Sequence, residues 1–424
     1  MELIKVIVFD LLSSAAILVG LMAFIGLILQ KQTADNIISG TLKTIVGFLV
    51  FGVGSGAAVV ALSSFQDLFA AGFGLKGVLP LAEAVTALAQ QKFGTTVSLV
   101  MVFGFVMNLV VARFTPLKYI FLTGQHNLYL AALLTVMLKA LGVSNSLIVI
   151  IGGILLGICA ALFPAICQPY MRKVTGDDEL ALGHYVTVGY ALSGWIGSKV
   201  GKPEDSTENL KLPGWLSIFK DYVVGVSITI IIFFYIAAIA AGKAKVEALS
   251  GGTNWLVYPL FQGLSFAASL FVIITGVRML LGEIVNAFVG ISERLIPNAK
   301  PALDCPIVFP FAPTATVIGF LSSYVGGLLC MFAFGALNMA VIIPVAVPYF
   351  FIGATAGVFG NATGGWKGAI AGSFVVGVLI AIGPSTIYPI MENLGLEGTA
   401  FPETDFNIVG LLVYYIGKFL QFIF

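Results

Sequence analysis

The chain reads as a succession of long apolar runs separated by short polar ones. A helix needs about 20 mostly apolar residues to cross the hydrocarbon of a bilayer. Runs of that kind cover residues 11–29, 42–62, 95–112, 119–141, 147–166, 222–241, 256–281, 316–337, 341–360, 369–387 and 408–424. The pattern predicts an all-α membrane protein with about eleven transmembrane helices. The first apolar run, from residue 6 to 29, is too long for the apolar part of a secretion signal and is read as an uncleaved first span.

Three segments do not fit that pattern. Residues 78–89, 179–195 and 301–313 are apolar but interrupted by Pro, Gly or charge. They are too short to span and are expected to be re-entrant or broken. Pro301, Pro306, Pro310 and Pro313 cannot all sit inside one regular helix. Backbone freed in this way at membrane depth must be buried in protein or line a polar cavity, and transporters build substrate sites from such segments. The two halves echo one another. Each opens on long apolar helices, passes through an amphipathic stretch (63–74 and 290–299), and then reaches a short segment with one acid, Glu83 or Asp304. This order suggests an inverted repeat.

Composition strengthens the membrane reading. Of 424 residues, 59% are hydrophobic and 10% charged, where soluble domains carry about 25% charged residues. Mean hydropathy is +1.05. The longest polar stretch, 201–221, is too short to hold a core of its own. With 21 basic and 20 acidic residues there is no basic stripe for nucleic acid. Cys159, Cys167, Cys305 and Cys330 form no CxxC pair and read as small packing residues, so no metal site, disulfide or cofactor is expected. There is no Walker loop, HExxH motif or serine elbow, and no catalytic residue is assigned. Basic residues at Arg113/Lys118, Arg172/Lys173, 199–220 and Lys243/Lys245 mark candidate cytoplasmic loops. The stretch 199–220 also carries Glu204, Asp205 and Glu208, and is the natural docking surface for a soluble partner.

Ionisable groups inside apolar segments cost about 2.5–3.5 kcal/mol each on insertion scales, so each is a candidate for function. They are Asp10, Glu83, His126, His184, Arg278, Glu283 and Asp304. Arg278 and Glu283 are read as an ion pair between helices. His126 lies in the polar knot Thr123-Gly-Gln-His-Asn127, and His184 follows Gly183, which permits close backbone approach. Either imidazole could serve a polyhydroxylated ligand, or could be a satisfied core histidine. Asp304, between Pro301 and Pro306, could accept hydroxyl hydrogen bonds or cap the following short helix. Thr355 and Asn361 fall in glycine-rich runs, 353–357 and 360–365, that read as close helix packing.

Several stretches resemble the ascorbate-type phosphotransferase-system (PTS) permeases of the ascorbate–galactitol superfamily. They are Gly40-Thr-Leu-Lys-Thr-Ile-Val-Gly-Phe48, Gly54-Ser-Gly56, Leu122-Thr-Gly124, Gly183-His184, Leu210-Lys-Leu-Pro-Gly-Trp-Leu216 with Ile218, Phe219 and Asp221, Gly276-Val-Arg-Met279, Arg294-Leu-Ile-Pro297, Leu303-Asp-Cys305 and Phe311-Ala-Pro313. The resemblance implies a IIC membrane component with two inverted repeats and two re-entrant hairpins. A mobile core would sit beside a V-shaped domain that dimerises. The V-shaped domain would comprise residues 1–65 and 205–299, the core 66–204 and 300–400, with a terminal transmembrane helix at 401–424. The implied protein is a homodimer embedded in lipid of the bacterial inner membrane, moving its cargo like an elevator. Its soluble partners are IIA and IIB, and the phosphocysteine of IIB phosphorylates the bound substrate, L-ascorbate or a related sugar acid or polyol.

By the same resemblance Asp304 and His184 match substrate-binding positions. Gln125 falls where related permeases carry a histidine, Tyr129 and Tyr185 where they carry glutamines, and Glu83 where they carry a tyrosine. The expected site is therefore Glu83, Gln125, Tyr129, His184, Tyr185, Asp304 and Thr355, polar throughout but with an altered hydrogen-bonding pattern. From the residues alone, an ion-coupled secondary transporter remains the alternative, with Asp304 and Glu83 binding the coupling ion.

Overall fold

The computed structural model describes residues 15–74, 77–210 and 222–423. Asp10, the start of the first predicted span, and the 211–221 part of the polar stretch lie outside them.

Among the described residues, six very short strands organise the interior. They are β1 (Gly77–Pro80), β2 (Tyr119–Phe121), β3 (Ala181–Leu182), β4 (Lys300–Leu303), β5 (Val341–Ile342) and β6 (Thr399–Ala400). They form two three-stranded sheets with the orders β5-β1-β6 and β2-β4-β3, every pair parallel. Exchanging β1 with β4, β2 with β5 and β3 with β6 converts one order into the other. The exchanged strands start at residues 77 and 300, 119 and 341, and 181 and 399, which are offsets of 223, 222 and 218. In the first sheet Val78 sits beside Ile342 and Pro80 beside Ala400. In the second, Phe121 sits beside Ala302 and Leu182 beside Leu303.

Strands this short leave edge groups that hydrocarbon cannot satisfy, so side chains take them up. Asn108 donates to the Tyr119 carbonyl (3.1 Å) and accepts from the Phe121 amide (3.0 Å). Thr399 donates to the Leu79 carbonyl at 2.8 Å, and Gln66 to that of Gly77. Gly183 is where close approach is compulsory. Its amide donates to Leu303 (2.7 Å), and a Cβ there would collide with the Ala302 carbonyl.

The helices are α1 (Ala15–Leu29), α2 (Ala34–Phe73), α3 (Ala82–Phe114), α4 (Gly124–Ala140), α5 (Asn145–Thr175), α6 (Thr187–Val200), α7 (Tyr222–Ala241), α8 (Lys243–Leu249), α9 (Val257–Leu295), α10 (Pro313–Ala336), α11 (Ala346–Glu392) and α12 (Thr404–Ile423). Among the described residues, six are long and apolar enough to cross a membrane, namely α2, α3, α5, α10, α11 and α12. The predicted span at 119–141 is instead β2 followed by the 17-residue α4. The spans predicted at 341–360 and 369–387 fall on β5 and on α11, which breaks at Gly365 (φ 59°). A Cβ at Gly365 would strike the carbonyls of Lys202 and Asp205. Helix α3 likewise breaks at Phe93 (φ −134°, ψ 21°). Of the segments predicted to be short and broken, 301–313 is β4 and then a 3-10 helix, Cys305–Phe311.

Packing falls into two groups. Helices α1, α2, α7 and α9 pack on one another, while α3 packs on α4 and α5, and α11 on α6 and α10. The glycine-rich runs of α11 do pack closely. Gly353 and Gly357 lie against Ser323 and Gly319 of α10, and Gly360 and Gly364 lie near Gly368 and Gly197. The segment between α6 and α7 is tied to this second group. Asn361 accepts from the Thr207 amide (2.8 Å), and Glu208 accepts from the Thr314 amide (2.9 Å) at the start of α10.

Candidate functional site

Each of the six strands runs toward one cavity, and the residues just past each strand's C-terminal end line it. β1 leads to Ala82 and Glu83, β2 to Gln125, His126 and Tyr129, and β3 to His184. β4 leads to Asp304, Cys305 and Pro306, β5 to Val347, Pro348, Phe351 and Ile352, and β6 to Pro402 and Glu403. Arg278 of α9 is the lining residue contributed from outside these six segments. Parallel strands expose backbone and side chains at their C-terminal ends, which is where α/β proteins place their ligands. Here two small sheets produce the same effect inside a helical membrane protein.

Asp304 is the best-connected acid in the cavity. Its Oδ1 accepts from the Cys305 amide (2.7 Å), capping the 3-10 helix, and its Oδ2 accepts from Gln125 Nε2 (2.7 Å). The capping reading of this residue therefore holds, and the same side chain lines the cavity. His126 Nε2 lies 3.8 Å from Asp304 Oδ1. The His126 and His184 rings meet edge to face, with centroids 4.3 Å apart. His184 Nδ1 is 2.5 Å from the Tyr190 hydroxyl. The Tyr190 bond occupies Nδ1 and leaves Nε2 as the ring's other polar atom.

Glu403 is 3% exposed, and its Oε2 has no hydrogen-bond partner among the described residues. The same is true of His126 Nδ1. His126, His184 and Glu403 bring one ligating atom each within 4.8 Å of one another, and so do His184, Asp304 and Cys305. Such donors could hold a divalent cation, and they are equally the groups that bind hydroxyls.

Residues 10–405 match the family described as the PTS system sugar-specific permease component, EIIC-GAT. The chain belongs to this family. The chain is also 29% identical, over 87% of its length, to a protein of Mycoplasma pneumoniae named as an ascorbate-specific PTS system EIIC component. The match covers 64% of that relative, so the chain spans less than two thirds of the curated protein it resembles. Family membership and the long apolar helices make this a multi-pass membrane protein.

Five of the seven predicted site residues line the cavity: Glu83, Gln125, Tyr129, His184 and Asp304. The other two stand behind it. Tyr185 is fully buried, stacks on Phe121 (centroids 4.4 Å apart, 13° between planes) and donates to Asn127 Oδ1 at 2.9 Å. Thr355 donates to the Phe351 carbonyl (2.7 Å) one turn back in α11. His126 points at the cavity, one residue after Gln125. Arg278 does so as well, while Glu283, expected to pair with it, lies 3.5 Å from Lys43 of α2. Glu403 escaped the sequence reading because it sits in the link between two spans. The available signal was an acid directly after Pro402, next to an apolar segment, much as Asp304 lies beside prolines.

Proposed function

We propose that this chain is the IIC permease of a sugar phosphotransferase system of the bacterial inner membrane, carrying L-ascorbate or a closely related sugar acid or polyol. The observation that carries the reading is the cavity itself. Two imidazoles, three carboxyl side chains, an amide and a phenol converge from five of the six strand-led segments, within a chain otherwise too apolar to hold them. A small solute with many hydroxyls is the ligand that uses such groups. The substrate named for the Mycoplasma relative agrees with it.

In this reading Glu83, Gln125, Tyr129, His184 and Asp304 contact the substrate, and Tyr185 and Thr355 support the wall. The exchange symmetry of the two sheets supports two inverted repeats, with the re-entrant hairpins formed by the strand-led segments near Glu83 and Asp304. The grouping of α1, α2, α7 and α9 supports a V-shaped frame apart from a mobile core built on α3 to α6, α10 and α11, and so an elevator motion. The exposed apolar face of α2, with Ile38, Leu42, Val46, Leu49 and Val53, supports contact with lipid or with a second copy. Phosphoryl transfer from the phosphocysteine of IIB would break the S–P bond and form an O–P bond to a substrate hydroxyl, which gives up its proton. Positioning and charge stabilisation dominate such steps.

The test is uptake by cells expressing the permease with and without its IIB partner. The expected result is phosphorylated product inside the cell, with phosphoenolpyruvate as ultimate donor, and loss of uptake without IIB. Uptake of unmodified substrate that persists without IIB and collapses with an ionophore would establish ion-coupled transport instead.

A further inference from the structure

Two acids beside the start of α12 are both buried and are treated in opposite ways. Asp405, fully buried, has both carboxylate oxygens occupied. Oδ2 accepts from the Thr187 amide and hydroxyl (2.7 Å each), and Oδ1 from the Val188 amide (3.1 Å) and the Thr404 hydroxyl (3.1 Å). This is how a structural acid is satisfied inside a protein. Glu403, two residues earlier, faces the cavity with Oε2 unpartnered among the described residues.

Its position is nevertheless fixed. The β6 strand is hydrogen-bonded to β1, and Pro402 restricts the backbone directly before Glu403. The Glu403 carbonyl accepts from the Asn407 amide (3.1 Å) and from Asn407 Nδ2 (2.8 Å). The backbone is held on both sides while the buried Oε2 is left without a partner among the described residues. Nearby, His126 presents an unpartnered Nδ1. Preorganised polar groups that the protein leaves unmatched are groups that a ligand matches.

We propose that Glu403 is a substrate-binding and specificity-determining residue, whose free carboxyl oxygen hydrogen-bonds one of two adjacent substrate hydroxyls that also meet the imidazoles of His126 and His184. Polar atoms within 4.8 Å of one another suit neighbouring oxygens on a single ring or chain. The inference rests on the sugar-like cargo proposed above and adds the group that selects it. A ligand with one of these hydroxyls blocked loses a donor and leaves a buried acceptor unmatched, which is how polar sites reject close analogues.

The experiment is calorimetric titration of the purified full-length protein, in EDTA, with L-ascorbate and with its four mono-O-methyl ethers. Wild type is compared with Glu403→Gln and Glu403→Leu. The expected result is at least a tenfold weaker affinity of Glu403→Leu for ascorbate and a smaller loss for Glu403→Gln. One methyl ether should bind wild type at least tenfold more weakly than ascorbate, and that ratio should shrink toward one in Glu403→Leu. Because the ratio is taken within a single variant, it does not depend on how much of that variant is folded. Variants that bind ascorbate as wild type does, or that keep the full methyl-ether penalty, overturn the assignment. Wild-type binding that vanishes in EDTA and returns with Zn²⁺ also overturns it, in favour of a metal bridge. A wild type that takes none of these ligands overturns the cargo reading and this one with it.

Discussion

The Gln125 side chain donates a 2.7 Å hydrogen bond to Asp304, joining residues 179 positions apart in the chain. Together with the Cys305 amide on the other oxygen, it fixes the plane of the carboxylate at the cavity wall. Asp304→Asn turns one of those acceptors into a donor, so one of the two bonds must be lost. Hydrogen bonds to a charged group are worth about 1.5–3 kcal/mol, which corresponds to roughly a tenfold to hundredfold loss of substrate affinity. Titration of L-ascorbate into the purified variant checks this. Unchanged affinity would remove Asp304 from the site.

The His184–Tyr190 contact makes a narrower prediction. Tyr190→Phe keeps the buried ring in its stack with Phe359 and removes only the hydroxyl facing Nδ1. His184 then loses the bond that sets its tautomer and ring angle. The expected effect is about 1 kcal/mol, roughly a fivefold fall in affinity. His184→Gln should cost more, because it removes the cavity-facing imidazole as well. Parallel titrations of the two variants give the order, and Tyr190→Phe proving the worse of the two would contradict it.

What the sequence made legible, and what it did not, follows from how each feature is encoded. Most spans are visible because a bilayer demands a long apolar run, and a run is a local property. The sheets are invisible because strands of two to four residues have no periodicity and their partners lie more than a hundred residues away. That is why 119–141 reads as one helix when its first three residues pair with β4. Asp304 and His184 stand out because charge and imidazole are costly in an apolar context. Tyr185 and Thr355 are ambiguous by nature, since a phenol or hydroxyl packs behind a wall as readily as it lines one. In the structure neither is among the lining residues, and they hydrogen-bond to Asn127 and to the Phe351 carbonyl.

Asp405 offers a test of the scaffold that is separate from binding. Its carboxylate meets the first amides of α6 and so acts as that helix's cap, tying the His184 segment to the Glu403 segment. Loss of a cap costs about 0.5–2 kcal/mol. Stranding the buried Thr187 donors adds about 1–3 kcal/mol. Asp405→Ala should therefore lower the thermal unfolding midpoint in detergent clearly, and Asp405→Asn, which keeps an acceptor, by less. Size-exclusion profiles after graded heating would show this, and a midpoint equal to wild type in Asp405→Ala would deny the carboxylate its structural role.

Outside the spanning helices, Asp178 joins the turn after α5 to the start of β4. It pairs with Lys300, accepts from Arg172 Nε at 2.7 Å and accepts from Gln168 Nε2 at 2.9 Å. Lys300 first, then Arg172 and Gln168, hold its carboxyl well below the usual carboxylate range. A depressed folded-state value means stabilisation that is complete above the unfolded value, about pH 3.9 for Asp, and lost as pH falls from there through the folded one. The side chain is 45% exposed, so solvent screens the pairs and each contributes only about 0.2–1 kcal/mol. Asp178→Asn should therefore unfold slightly earlier than wild type at neutral pH, with a gap that is constant down to about pH 4 and closes in stronger acid. High salt should narrow the gap at every pH. Unfolding midpoints of the two proteins across pH and salt check both, and a gap that widens on acidification would contradict the assignment.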